Sequence, residues 1–266
     1  MRILAILTLL CFGTLAHATD RHVYPGSSIQ AAINASVNGD RVLVHAGTYP
    51  AGIRFNGKLI EVIAVDGPTI TTLDATNAPF SAVTFDANET LASKLKGFTI
   101  KGGVASTGAG IRIFQASPTI QDCVIRDGAA QNGGGVHATG SSALIIGCTI
   151  RNNSAVTGGG GLYFSGGSPS MATCTVLSNT ANQGAGIYCT STTLAVQSGG
   201  INENTAITQG GGFYSTSSTV TITDALISTN LTTVANQISY PGGAGIWSQS
   251  STVTMLRVWL ANNLAN

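Results

Sequence analysis

The sequence predicts an all-β fold, a parallel β-solenoid of about 25 residues per coil with a short capping helix at its N-terminal end. Three observations lead there. Aligned on a run of glycines, six consecutive segments start at Gly108, Gly133, Gly159, Gly184, Gly210 and Gly243, and the first apolar residue after each run falls at Ile111, Val136, Leu162, Ile187, Phe213 and Ile246. The intervals are 25, 26, 25, 26 and 33 residues, a period at which each unit buries its apolar edge by stacking on its neighbours. Composition agrees: 34 glycines, only 9% charged residues, and many Ser, Thr and Asn exclude both a disordered chain and a helical one. Within each unit, apolar and polar residues alternate with the period of a strand.

The elements follow in order. Residues 1–18, MRILAILTLLCFGTLAHA, carry Arg2 ahead of an apolar stretch and end in Ala16-His17-Ala18, the small-x-small pattern of a secretory signal peptide. The mature chain is expected to begin near Thr19 and to act outside the cytoplasm, secreted or at the cell surface. No segment approaches the ~20 apolar residues of a membrane span. Residues 19–266 form one domain. In SSIQAAINASV, a capping box of Ser27 and Gln30 starts a helix near 27–37, with Ile29, Ala32, Ile33 and Val37 on one face to cover the first coil. Asn38-Gly39-Asp40 turns the chain into a strand at 42–44. Irregular coils through 60–63, Ile70, 83–85 and 98–100 then run to about residue 107.

The regular coils occupy 108–266. Leucine-rich repeats share this period, but here Gly, Thr and Ser stand where those repeats need leucine. In the coil from Gly133, Val136 and Ala138 point inward, His137 points outward, and Leu144, Ile146, Cys148 and Ile150 continue the inward set past a corner. Cys123, Cys148 and Cys174 occupy one slot at the ~4.8 Å strand spacing, with Phe98 before them and Gly199, Ala225 and Val258 after. A slot that accepts such residues is interior packing, so these cysteines and Cys189 read as buried thiols. Their stacking leaves disulfides as the alternative, and no CxxC or Cys/His cluster indicates a metal. Five positions on come Asn153, Asn179, Asn204, Asn230 and Asn263, expected to take left-handed backbone at a corner and to hydrogen-bond from coil to coil. The glycines turn corners rather than cradle phosphate, since no helix follows them. The insertion TTVANQISYPGG lengthens the last interval. The final coil is expected to be covered by a continuation of the chain or by a partner.

Two outward columns carry the candidate chemistry. Directly after each corner stand Arg112, His137, Tyr163, Tyr188, Tyr214 and Trp247. Aromatic faces in a row suit the sugar rings of a polysaccharide or cell-surface glycan, and the Arg and His at one end suit a carboxylate or sulfate. The same column also serves the sheet through cross-strand contacts worth ~0.2–1 kcal/mol each. Three positions after the cysteine slot stand Lys101, Arg126 and Arg151, then Ser178, Asn202 and Ser228. Like charges so close either attract an anion or form a solvated basic edge screened by Asp127. A net charge of +1 gives nucleic acid no footing. Of the 11 acidic residues, only Asp122 and Asp224 in the regular coils share a slot, and they lie four coils apart. Asp66, Asp74, Asp86 and Glu89 fall in irregular coils whose register the sequence leaves open. His45 reads as a strand-end histidine satisfied by hydrogen bonds. No nucleophile elbow, metal-ligand histidine pair or dinucleotide fingerprint occurs, and no catalytic residue is assigned.

Taken together, the SIQAAINASVNGDRVLVHAGTY start, the IxxCxIxxN core and the GGGxY/H corners resemble the secreted right-handed parallel β-helix repeat proteins of the pectate-lyase-like superfamily. The Gly-rich copies resemble the polymorphic outer-membrane-protein type of repeat. The resemblance covers residues 22–266 and implies a single-stranded right-handed parallel β-helix; it says less of activity, because that superfamily holds lyases, hydrolases, esterases, epimerases and non-enzymatic surface proteins. The expected role is a non-enzymatic surface or extracellular protein that offers its aromatic-striped face to glycans or other macromolecules. The alternatives are a polysaccharide lyase or hydrolase, the lyase bringing calcium where otherwise no cofactor is expected, and a passenger fragment of an outer-membrane assembly.

Overall fold

A computed structural model describes residues 18–233 and 243–265. Residues 1–17, and with them nearly all of the leader, lie outside the described residues, as does most of the TTVANQISYPGG insertion. Among the described residues the chain winds into a solenoid whose strands all pair in parallel, forming sheets of 16, 7 and 8 strands around one continuous apolar core. No helix among them is long and apolar enough to cross a membrane.

The eight-stranded sheet keeps the predicted register. Ile111–Phe114, Val136–Thr139, Leu162–Ser165, Ile187–Thr190, Phe213–Thr216 and Ile246–Gln249 stack residue on residue, with each corner residue directly beneath the next. The seven-stranded sheet runs from Val104–Thr107 to Leu264–Ala265. The large sheet takes two strands from most early coils, such as Leu144–Ile146 and Thr149–Arg151, and long single strands such as Thr193–Asn202 from later ones.

Here the expected parity is wrong in part. Ile145, Cys148 and Ile150 are buried, whereas Leu144 and Ile146 are only half-buried and sit on the outer side. Gly147 lies between the two strands at φ 62°, and its left-handed turn resets the in/out alternation that a continuous strand would keep. In later coils Thr173, Ser198 and Asp224 take the same conformation inside the long strands.

The capping helix spans Ile29–Ala35, shorter than expected. Its N-cap is Ser28, whose side chain accepts from the Ala31 N–H at 3.1 Å, rather than Ser27. Gln30 does not close a capping box; its amide instead bridges to the Arg54 backbone, accepting from N at 2.7 Å and donating to O at 3.1 Å. Ile29 and Ile33 seal the core, while Val37 lies beyond the helix and is exposed. The Lys58 ammonium donates to the carbonyls of Ile33, Asn34 and Ser36 at 2.6–2.7 Å, which caps the carbonyl end of the helix and favours a cation there. In the irregular coils Ile70 is exposed, and Leu73 and Ala75 of Thr71–Ala75 supply the core instead.

All four described cysteines are free and buried. Cys123, Cys148 and Cys174 form the expected stack, continued by Gly199 and Ala225. The Cys189 thiol is pushed up to about 12 by burial. Hydrogen bonding within the stack lowers the Cys123 and Cys174 thiols, so it is burial, common to all four, that keeps a reagent away. A maleimide is therefore expected to label none of the four in the native protein and all four in urea; native labelling of any one would contradict this packing.

The asparagine ladder is present and complete. From Asn179 on, each Oδ1 accepts from both the backbone N and the side-chain Nδ2 of the asparagine one coil before it, as Asn179 Oδ1 does from Asn153 at 3.0 and 3.1 Å, while Asn153 Oδ1 starts the ladder by accepting from the Gly128 N–H at 3.0 Å. Each Nδ2 also donates to a backbone carbonyl, as Asn179 does to Ile150 at 3.0 Å. The left-handed residue is the one before each asparagine, namely Asn152, Ser178, Glu203, Thr229 and Asn262, and not the ladder asparagine itself. In the last described coil Met255, Leu256, Trp259, Leu260 and Leu264 are exposed.

Candidate functional site

The outward column of the eight-stranded sheet is one unbroken register from Arg54 through Thr84, Arg112, His137, Tyr163, Tyr188 and Tyr214 to Trp247. Sequence reasoning found the last six. It missed Arg54 and Thr84 because their coils lack the glycine run that set the alignment.

Along the column the rings stack on one another. Centroids lie 4.9, 4.8, 4.6 and 4.4 Å apart from His137 to Trp247, with interplanar angles of 4–12°. Glycine corners make room for them: a Cβ on Gly158 would stand 2.7 Å from Cδ2 of Tyr188. The consequence bears on ligand binding. Because each ring spends its faces on its neighbours, the stack turns edges and hydroxyls outward, so sugar rings cannot lie flat on its interior members. Tyr214 is buried outright. Burial, reinforced by Tyr214 and Tyr163, pushes the Tyr188 phenol up to about 12, and burial raises Tyr163 and Tyr214 too, so the tyrosines stay neutral across ordinary pH.

His137 behaves likewise. Burial, and after it the Arg112 charge, holds its pKa down at about 4. Its unfolded value is about 6.5, so between those limits the unfolded chain binds the extra proton and folding stability falls as pH drops. Above about 6.5 the dependence vanishes. Urea unfolding at pH 7 and pH 4.5 should show this loss, and His137→Tyr, which extends the tyrosine stack, should remove that component of it.

At the head of the column the geometry changes from a stack to a cleft of about 550 Å³ at the corner between the seven- and eight-stranded sheets. Arg54, Thr84 and Arg112 form one wall, with Phe80, Ser81 and Ser106 around them. The Nη1 atoms of Arg54 and Arg112 both donate to Asp86 Oδ2 at 3.1 Å. One carboxylate facing two guanidiniums leaves the cleft with a net positive charge and unspent N–H donors. Phe80, 48% exposed, lines the cleft beside them.

The second column is also assembled in register, with Asp74 at its head before Lys101, Arg126 and Arg151. Two of its three cations are matched: Lys101 lies 3.4 Å from Asp74, and Arg126 pairs with Asp127. Arg151 has no carboxylate partner among the described residues. The next residue in the column is Leu177, three positions after Cys174, and not Ser178, which stands four after it; Asn202 and Ser228 follow in register.

The acidic side chains of the irregular coils are each engaged. Asp66 accepts from the Ala46 N–H, Asp74 from Thr76, and Asp86 from the two arginines. Glu89, 2% exposed, accepts from the backbone of Gly57 and Ala87. Among the described residues, no group of three or more His, Cys, Asp or Glu side chains is placed to hold a metal ion. His45 is tied in as expected, with Nε2 3.0 Å from His22 Nδ1 and its ring stacked 4.2 Å from Tyr24.

A family model described as a right handed beta helix region matches residues 81–264. Among solved structures, the chain is similar to the crystal structure of pectate lyase Pel9A, with a TM-score of 0.54 and 12% identity over 91% of this chain and 78% of that one. It also aligns with the pectin methylesterase from carrot, with a TM-score of 0.49 and 12% identity over 93% of this chain and 84% of that one. No curated protein sequence matches it.

Proposed function

The chain belongs to the right-handed β-helix family, and on that premise we propose that it is an exported, non-enzymatic glycan-binding protein whose primary contact is the cleft at the head of the aromatic column. One observation carries this reading: two arginines share the single carboxylate of Asp86 beside the half-exposed Phe80 and a set of hydroxyls. Guanidinium forks bind a carboxylate or sulfate, an exposed aromatic ring packs against a sugar, and hydroxyls complete the polar contacts. The stacked rings from His137 to Trp247 form a rigid spine that continues the surface, offering edges and hydroxyls along a chain of sugars. Acid–base cleavage of a glycosidic bond generally uses two carboxylates. On this face the acid beside the cleft is Asp86, held between two cations, which supports binding over hydrolysis.

The test is a panel of neutral, carboxylated and sulfated polysaccharides, with and without calcium, read for gel retardation and for reducing-end release together. Retardation by the acidic members without cleavage is expected. Arg54→Ala or Arg112→Ala should each weaken it about tenfold, roughly 1.4 kcal/mol, and Tyr188→Phe much less. Cleavage of any member, or binding indifferent to both arginines, overturns the reading.

A further inference from the structure

We propose that the peptide bond between Ala18 and Thr19 is a proteolytic processing site and that Asp40 is the built receptor for the amino terminus it creates. The proposal rests on the export reading above and adds what the fold does with the new chain end. Asp40 sits in the turn between the capping helix and the strand Arg41–Val44, and its carboxylate is 1% exposed. Its Oδ1 accepts from the Thr19 N–H at 2.8 Å; its Oδ2 accepts from the Val37 N–H at 3.0 Å and from Nε and Nη2 of Arg21 at 3.3 Å. The Thr19 carbonyl in turn accepts from the Arg41 N–H at 3.0 Å, so residue 19 is clamped from both ends.

Processing adds one water across the bond. Its oxygen joins the Ala18 carbonyl carbon, which departs as a carboxylate, and both of its protons end on the Thr19 nitrogen, which becomes an ammonium. The catalyst is an endopeptidase that reads small-x-small sequences, and Ala16-His17-Ala18 supplies one. The nitrogen that donated to the Asp40 carboxylate as a neutral amide then donates as a cation, and a hydrogen bond with one ionised partner becomes one with two. Position matters: a strand advances ~3.3 Å per residue, so an end one residue earlier or later misses Oδ1.

The charges around the site suit an ammonium. Asp40 is held below the usual carboxylate range by the Val37 and Thr19 N–H groups and by Arg21, so it is ionised. The neighbouring Asp20 and Arg41 neutralise each other at 2.6 Å, and Glu61 lies near Arg41 on the next strand. An α-amino group paired with Asp40 has its pKa raised above the unfolded ~7.7, so its contribution is complete below that value and is lost as pH rises through the raised one. At the acid end it is lost as Asp40 protonates, below about 3.9.

Two forms of the chain test this: one released from a fusion with Thr19 as first residue, the other with a glycine and a serine ahead of it. At pH 6 the Thr19 form is expected to melt about 3 °C higher, with the gap closing above pH ~9 and in Asp40→Asn. Acetylating the Thr19 amine removes the charge while leaving Asp40 in place, and should erase the gap without any mutation. Equal melting of the two forms, or a gap that survives acetylation, overturns the docking. An intact mass of the exported protein that begins elsewhere than Thr19 overturns the processing step separately.

Discussion

Replacing Asn204 with alanine is expected to lower stability by about 4 kcal/mol, an effect large enough to read directly as a shift in the urea midpoint. Asn204 is fully buried, and its side chain makes four hydrogen bonds: Nδ2 to Val176 O and to Asn230 Oδ1, each at 3.0 Å, and Oδ1 from the Asn179 N and Nδ2 at 3.1 and 3.0 Å. Truncation takes this partner from a carbonyl and two N–H donors of the preceding coil, those of Val176 and Asn179, and each such buried orphan costs about 1–3 kcal/mol. Asn204→Asp is the sharper experiment. Its Oδ1 can keep the Asn179 donors, but its second oxygen faces two acceptors, so the folded carboxyl must hold a proton and its pKa rises. Stability is then greatest below the unfolded value of about 3.9 and falls as pH climbs through the folded one. Asn204→Ala should show no such slope. Asn202→Ala, two residues away on the outer side and bonded to Ser228 Oγ, should cost less than about 1 kcal/mol. If Asn204→Ala matches that control, the ladder does not hold the coils together.

Gly186→Ala is the second large effect, expected at about 3 kcal/mol or more. The backbone at Gly186 needs no left-handed φ, so conformational strain is not the reason. A Cβ there would stand 2.5 Å from the carbonyl of Gly212 on the next coil and 3.0 Å from Nδ2 of Asn204. Backbone cannot yield as a side chain can, so the substitution forces adjacent coils apart at the same level as the ladder. Because a solenoid is coupled mainly between neighbouring coils, the damage should spread from this junction. The readout is hydrogen exchange: amides of Ile187 and Asn204 should lose protection first, while Val42 and Val44 at the capped end keep theirs. Uniform loss along the chain, or none, would contradict this account.

These sites show how much could be read from the chain alone. The glycine corners, the asparagine ladder, the thiol slot and the aromatic column each repeat similar residues at the same point of successive regular coils, so a fixed period exposes them. The same logic failed wherever one residue broke the regularity. At Gly147 a single left-handed turn put Leu144 and Ile146 on the outer side, and strand periodicity cannot see a backbone angle.

What the sequence determined by itself was the solenoid, its period and the columns that run along it, because stacking in register turns a one-dimensional repeat directly into neighbours in space. Tertiary structure alone decided how the columns are used. It turned the aromatic faces toward one another, since rings one strand spacing apart are at stacking distance. It also brought Arg54, Asp86 and Arg112 from three coils into one cleft, because the irregular early coils carry no periodic mark and only the closed winding sets their register.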